Sequence, residues 1–153
     1  MNTPAPVRLS VADIQNLSSH YLNEGRKQES WQIEEIEING QHLTARVSMR
    51  TTYVSATDEK GFHLTIFTTL EFLSQLLIIY MHVRAGLSKK TREVWMVESS
   101  TRSVRAIRDS ANIKVEMEVV SIRKRGENFY CVADYRVTDD QGGLFKVKLK
   151  AFA

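Results

Sequence analysis

The clearest alternation in the chain is Leu43, Ala45, Val47 and Met49, each separated by a polar residue, the mark of a strand with one buried face. Just before it, Trp31, Ile33, Ile36 and Ile38 recur with one break in the alternation, and Asn39-Gly40 lies between the two runs. Asn-Gly supplies the positive φ angles of a tight hairpin turn, so the two runs are read as a β-hairpin. Upstream, Ser10 to Asn23 reads as a short helix ended by Gly25. Ser10 is its cap, Asp13 lies three residues on, and Val11, Ile14, Leu17, Tyr21 and Leu22 form a rough apolar stripe. Thr51 to Gly61 reads as an irregular loop, and Phe62 to Phe67 as a short strand.

Glu71 to Ala85 is apolar on almost every side, with Gly86 placed to end it, so a buried helix is expected there. Thr68-Thr69-Leu70-Glu71 before it fits a capping box, in which Thr68 and Glu71 satisfy one another's backbone amides. The rest reads as sheet. Strands are expected in Glu93–Ser100, Ala111–Arg125, Asn128–Thr138 and Leu144–Phe152, with turns at Gly126 and at Asp139 to Gly143. The last three are sequential and closely spaced, which makes an antiparallel meander. A helix apolar all round needs apolar surface around most of its circumference, and one curved antiparallel sheet supplies it. The expected class is therefore α+β, a hotdog fold with a long central helix wrapped by a curved antiparallel sheet and a short N-terminal helix. Such folds usually pair their sheets edge to edge, so a homodimer or higher even oligomer is expected.

Length and composition agree with one domain over residues 1–153: 42% of residues are hydrophobic and 25% charged, with two Pro and seven Gly. The single cysteine, Cys131, excludes an internal disulfide and alternates with apolar neighbours, so it reads as core. The N-terminal residues do not resemble a signal peptide, and the most apolar run, Leu76–Met81, is too short to span a bilayer. A cytoplasmic protein with no membrane partner is expected. The net charge of +3 is too small to imply nucleic acid. Basic residues nevertheless cluster at Lys89, Lys90 and Arg92, at Arg102, Arg105 and Arg108, at Arg123 to Arg125, and at Lys146, Lys148 and Lys150. They read either as solvated edges and loops or as a docking surface for an anionic partner.

The segment Phe67 to Leu76 resembles the helix start of the FcoT-like branch of hotdog proteins, named for a long-chain fatty acyl-CoA thioesterase. Tyr21 matches a tyrosine that the family places by its substrate tunnel, and Asp139–Ala153 resembles its final turn and strand. Thr68 stands where the family has asparagine, and Tyr53 and His63 both compete for the place of its second tunnel tyrosine. The resemblance implies a fatty or polyketide acyl thioester as substrate, carried by coenzyme A or acyl carrier protein. Members that modify carrier-bound chains, including by addition to an enoyl thioester, mean that hydrolysis is not the only chemistry implied.

In hotdog enzymes the thioester carbonyl lies at the N-terminus of the central helix, where backbone amides and the dipole stabilise a developing oxyanion. A carboxylate in the first turns then acts as base or nucleophile, and in this chain that carboxylate would be Glu71. Glu71, Ser74, Gln75 and His82 fall on one helical stripe. Each also has a plainer reading. Glu71 closes the capping box, Gln75 bonds to the sheet as a buried amide, Ser74 bonds within its own helix, and His82 as an imidazolium suits the helix end. Tyr21 either donates to the thioester or packs its ring against the core. His63 precedes Glu71 by eight residues, resembling dehydratases and thioesterases of this fold, although the dehydratase pattern has a longer gap with Gly and Pro. The candidate catalytic residues are thus Glu71, Tyr21 and His63, and the candidate substrate contacts Thr68, Thr69, Gln75 and Tyr53.

The four histidines lack metal-ligand spacing, and neither a Gly-rich phosphate loop nor a nucleophile elbow appears, so no metal or cofactor is expected. Thioester hydrolysis is the leading expectation. Dehydration or conjugate addition on a carrier-bound chain is the alternative within the enzyme class. A non-catalytic hotdog subunit that pairs with an active paralogue is the alternative outside it.

Overall fold

The computed structural model describes residues 5–58 and 60–153. Two short helices, α1 (Val11–Leu17) and α2 (His20–Asn23), and a 3₁₀ turn at Gly25–Gln28 lead into strands β1 (Ser30–Asn39) and β2 (His42–Thr51). The long helix α3 (Ile66–Arg84) follows, then β3 (Trp95–Arg105), β4 (Ile113–Arg125), β5 (Asn128–Thr138) and β6 (Leu144–Phe152). All six strands form one antiparallel, curved sheet in the order β1-β2-β4-β5-β6-β3.

The hairpin β1–β2 turns at Gly40, whose φ is 63°. The break in β1's alternation is a β-bulge between Ile33 and Glu35, which returns Ile36 and Ile38 to the helix side. The meander β4–β5–β6 also forms as the alternation predicts. Strand β3 does not join it in sequence order: it crosses to the far side and pairs with β6, its other edge unpaired among the described residues.

Helix α3 lies on the concave face. Phe72, Leu73, Leu76, Leu77 and Tyr80 are buried against Leu43, Val47, Val115, Met117, Val137 and Leu149. At about 1.5–3 kcal/mol per fully buried large apolar side chain, this one helix face contributes on the order of 10 kcal/mol before chain entropy is counted. Two hydroxyls tie the core together: Tyr135 donates to the Leu73 carbonyl at 3.1 Å, and Tyr80 to the Gly40 carbonyl at 3.0 Å. By length and hydropathy alone α3 could cross a membrane, which the short run Leu76–Met81 did not suggest; packed on the sheet, it is the core helix instead. Its C-terminus closes as expected, with Gly86 at φ 73° and the Leu87 amide bonded to the His82 carbonyl at 2.9 Å.

Asp139 fixes the turn before β6. Its buried carboxylate accepts four backbone amides: Arg108 at 2.8 Å, Asp109 at 3.0 Å, Gln141 at 3.0 Å and Gly143 at 2.7 Å. Gly143 sits so close to the chain at Ala106 and Ile107 that a Cβ there would lie 2.7 Å from their backbone atoms.

Four expectations are corrected. The N-terminal helix is broken at Ser18-Ser19 into α1 and α2 because Ser18 adopts an extended backbone. Its Ser10–Asp13 capping box does form, but Val11, Ile14, Leu17 and Leu22 are exposed rather than packed on the core. Phe62 to Phe67 is not a strand: residues 61–65 are irregular and the helix begins at Ile66. The helix cap is therefore Thr65, whose Oγ1 accepts the Thr68 amide at 3.3 Å. The Thr68–Glu71 capping box does not form, because both residues already lie inside the helix.

Candidate active site

Starting α3 at Ile66 places its first turn against the chain that precedes β1. The Thr68 amide is capped by Thr65, and the turn lies at a corner that α2, the 3₁₀ turn and Tyr53 share. Tyr21 donates to Thr65 Oγ1 at 3.4 Å. Thr68, buried, donates its hydroxyl to Glu29 Oε2 at 3.1 Å. The second carboxylate oxygen of Glu29 is buried and has no hydrogen-bond partner among the described residues, and neither has Nε of Arg26. The Arg26 guanidinium lies over the Phe67 ring, 5.4 Å from its centroid, and a terminal nitrogen stands 3.7 Å from Glu71 Oε1.

Two aromatic rings close the corner. Tyr53 lies 5.8 Å from Tyr21 and 5.8 Å from His20, ring centre to ring centre. It packs flat on Gly25: a Cβ there would fall 2.5 Å from the Tyr53 ring, so only glycine permits the approach. Burial and then the negative charge of Glu29 push the Tyr21 hydroxyl above its ordinary range, against the opposing effects of Thr65 and Arg26. Tyr21 therefore stays protonated at neutral pH and can donate a hydrogen bond.

Tyr21, Tyr53 and Thr68 thus meet at one place. Glu71 joins them through Arg26 but is half exposed, its side chain 54% accessible, on the helix face that the sheet does not cover. Thr69 turns back into its own helix, donating to the Thr65 carbonyl at 2.7 Å. Gln75 is exposed, one turn beyond Glu71 on the same face. The expected polar stripe is therefore divided. Ser74 bonds to the Leu70 carbonyl at 2.6 Å, while His82 is buried and faces the loop after the helix. The Thr91 and Arg92 amides donate to its Nε2 at 3.2 and 3.4 Å, and Nδ1 lies 2.8 Å from the Ile78 carbonyl. His82 thus bonds to the loop after the helix through Nε2 as well as to its own helix.

His63 is engaged elsewhere. Its Nδ1 lies 2.6 Å from Asp58 Oδ2, and Asp58 is also 3.9 Å from Arg108. The Lys60 amide, and then His63, hold the Asp58 carboxyl below the usual range. Glu29, Arg26 and Thr65 were not among the sequence candidates. Glu29 reaches Thr68 across 39 positions, a contact that no local pattern announces. Cys131 is core as expected, with burial pushing its thiol up to about 11.

A curved antiparallel sheet around one long helix has solved counterparts. A mutant thioesterase from Pseudomonas aeruginosa superposes with a TM-score of 0.54 at 15% identity, covering 94% of each chain. The fold is the hotdog fold. A second hotdog counterpart, a mutant thioesterase enzyme from Staphylococcus aureus, gives 0.51 at 12% identity, covering 87% of this chain and 97% of its own. A hypothetical thioesterase from Streptococcus pneumoniae, solved with coenzyme A, gives 0.50 at 19% identity, covering 80% of this chain and 84% of its own. No family model matches the sequence, and no curated protein matches it.

Proposed function

We propose that the protein hydrolyses a fatty or polyketide acyl thioester carried by coenzyme A or acyl carrier protein. The observation that carries this reading is the pair of carboxylates, Glu29 and Glu71, flanking the start of α3 together with Arg26, Tyr21 and Thr68. Hotdog counterparts named as thioesterases, one of them holding coenzyme A, support it, as does the resemblance of Phe67–Leu76 to the FcoT-like branch.

The thioester carbonyl sits at the helix N-terminus, where backbone amides stabilise the oxyanion. Glu71 takes a proton from water as the water oxygen bonds to the carbonyl carbon. The C–S bond then breaks, the thiolate takes up the proton, and free acid and thiol leave. Tyr21 and Thr68 orient the thioester, with Tyr53 and Gln75 beside it. Glu29 is the competing base, because one of its oxygens is buried with no partner among the described residues. His63 stays outside the reacting groups, held by Asp58.

The site is open on the side of Glu71, Phe67 and Gln75. The unpaired edge of β3 and this uncovered helix face both fit a second copy of the chain, in a dimer joined through β3 that closes the site. The expected location is the cytoplasm.

The test is incubation with saturated, 3-hydroxy and 2-enoyl thioesters of coenzyme A and carrier protein, following all species by mass spectrometry. Free acid establishes hydrolysis. Glu71→Gln is expected to lower kcat at least 100-fold with acyl binding kept, in the range for a positioned general base. If Glu29→Gln has that effect and Glu71→Gln does not, Glu29 is the base. Loss or gain of water on an intact thioester assigns dehydratase chemistry. No turnover on any of them by the folded protein assigns a partner subunit.

A further inference from the structure

The end of the molecule opposite the candidate site gathers features that the sequence shows as separate. The C-terminus of α3 and its following loop bring Arg84 and Arg92 to the end of the β4–β5 hairpin, which carries Arg123, Lys124 and Arg125. None of these five cations forms a salt bridge with a carboxylate among the described residues. Arg84 and Arg92 border a cavity of about 460 Å³ with walls from Met81, Leu87, Val94, Ile122 and Phe129.

On the sheet face turned away from α3, cross-strand pairing sets Trp95, Phe152 and Tyr130 side by side on β3, β6 and β5. Trp95 is 59% exposed and Tyr130 38%, and the Tyr130 and Phe152 rings stack at 5.8 Å. Arg125 lies over Tyr130 at 5.2 Å and Lys124 over Phe129 at 5.9 Å. Val97, Leu87 and Ile122 at the same pole are exposed aliphatics. Pairing β3 with a second copy would engage its backbone edge and leave this outer aromatic row free.

We propose that this pole docks on an anionic lipid bilayer surface. Unpaired cations meet the negative headgroups, while Trp95 and its neighbouring rings sit at the level where polar and apolar layers join. The aliphatic rim and the apolar cavity distinguish this surface from one built for a soluble polyanion, which would have no use for them. The proposal does not depend on the thioesterase reading, since it uses none of the residues at the start of α3.

Vesicles of phosphatidylcholine, with and without phosphatidylserine, test it by flotation. Binding is expected only with phosphatidylserine and is expected to fall as salt rises. Neutralisation of Arg123, Lys124 and Arg125 together to glutamine is expected to weaken it on the order of 100-fold, at about fivefold for each cation removed. In Trp31→Phe protein, Trp95 is the remaining tryptophan; its emission is expected to shift to the blue and to be quenched by brominated lipid. Should the triple variant fail to fold, Trp95→Ser is expected to weaken binding at least fivefold. No binding at low salt, equal binding to both vesicles, or unshifted Trp95 emission on binding overturns the proposal. Retention on heparin without vesicle binding overturns it in favour of a soluble polyanion.

Discussion

Asp139→Asn perturbs the most heavily used side chain outside the core. The native carboxylate accepts two amides on each oxygen: Arg108 and Asp109 on Oδ2, and Gln141 and Gly143 on Oδ1. The amide side chain keeps one accepting oxygen and turns an NH₂ toward two backbone donors. Those two amides lose their partner in a buried site. With hydrogen bonds to a charged group at about 1.5–3 kcal/mol each, the expected loss is about 3 kcal/mol, allowing for relaxation. Burial raises the Asp139 carboxyl, but the four amides outweigh it and leave it below its ordinary 3.8. A group depressed in the folded state contributes stability above its unfolded value and loses it as pH falls through the folded value. Urea unfolding of native and variant protein at pH 7 should therefore differ by about 3 kcal/mol, and the gap should narrow below about pH 4 as the native carboxylate protonates. A difference under about 1 kcal/mol at pH 7, or a gap that does not change with acid, would refute the clamp.

Gly143→Ala should cost about 1–3 kcal/mol in the same assay, because its Cβ meets the backbone of Ala106 and Ile107 as well as the Ile107 side chain. Thr65→Ala should cost about 1 kcal/mol through the lost helix cap, while Glu71→Ala should cost well under that; the reverse order in thermal unfolding would restore the cap at Thr68. The thiol of Cys131, at about 11 and buried, should not react with a disulfide reagent at pH 8 until the protein is unfolded; prompt labelling of native protein would contradict its place in the core. Tyr135→Phe, which orphans the Leu73 carbonyl of one bond, should destabilise by about 1 kcal/mol in urea.

Local pattern determined most of the scaffold. Alternation marked β2, β4 and β5, Asn39-Gly40 marked the hairpin turn, and an all-round apolar stretch closed by Gly86 marked the buried helix. These succeed because period, turn chemistry and burial depend on residues within a few positions of each other. The start of α3 shows where local evidence divides: Thr65 and Thr68 both precede a helical run and both can cap, and only the loop packed around residues 61–65 selects Thr65. The same limit governs the candidate site. Tyr21 was legible through resemblance, but Glu29 and Arg26 acquire meaning only when the chain before β1 folds onto the helix start. The position of β3 beside β6, and the joining of Arg92 with Arg123 to Arg125 at one pole, are likewise tertiary. The sequence determined which segments become helix and strand, because those preferences are written in neighbouring residues. The tertiary structure decided which polar groups share a corner, because contacts across 39 or 44 positions depend on how elements pack.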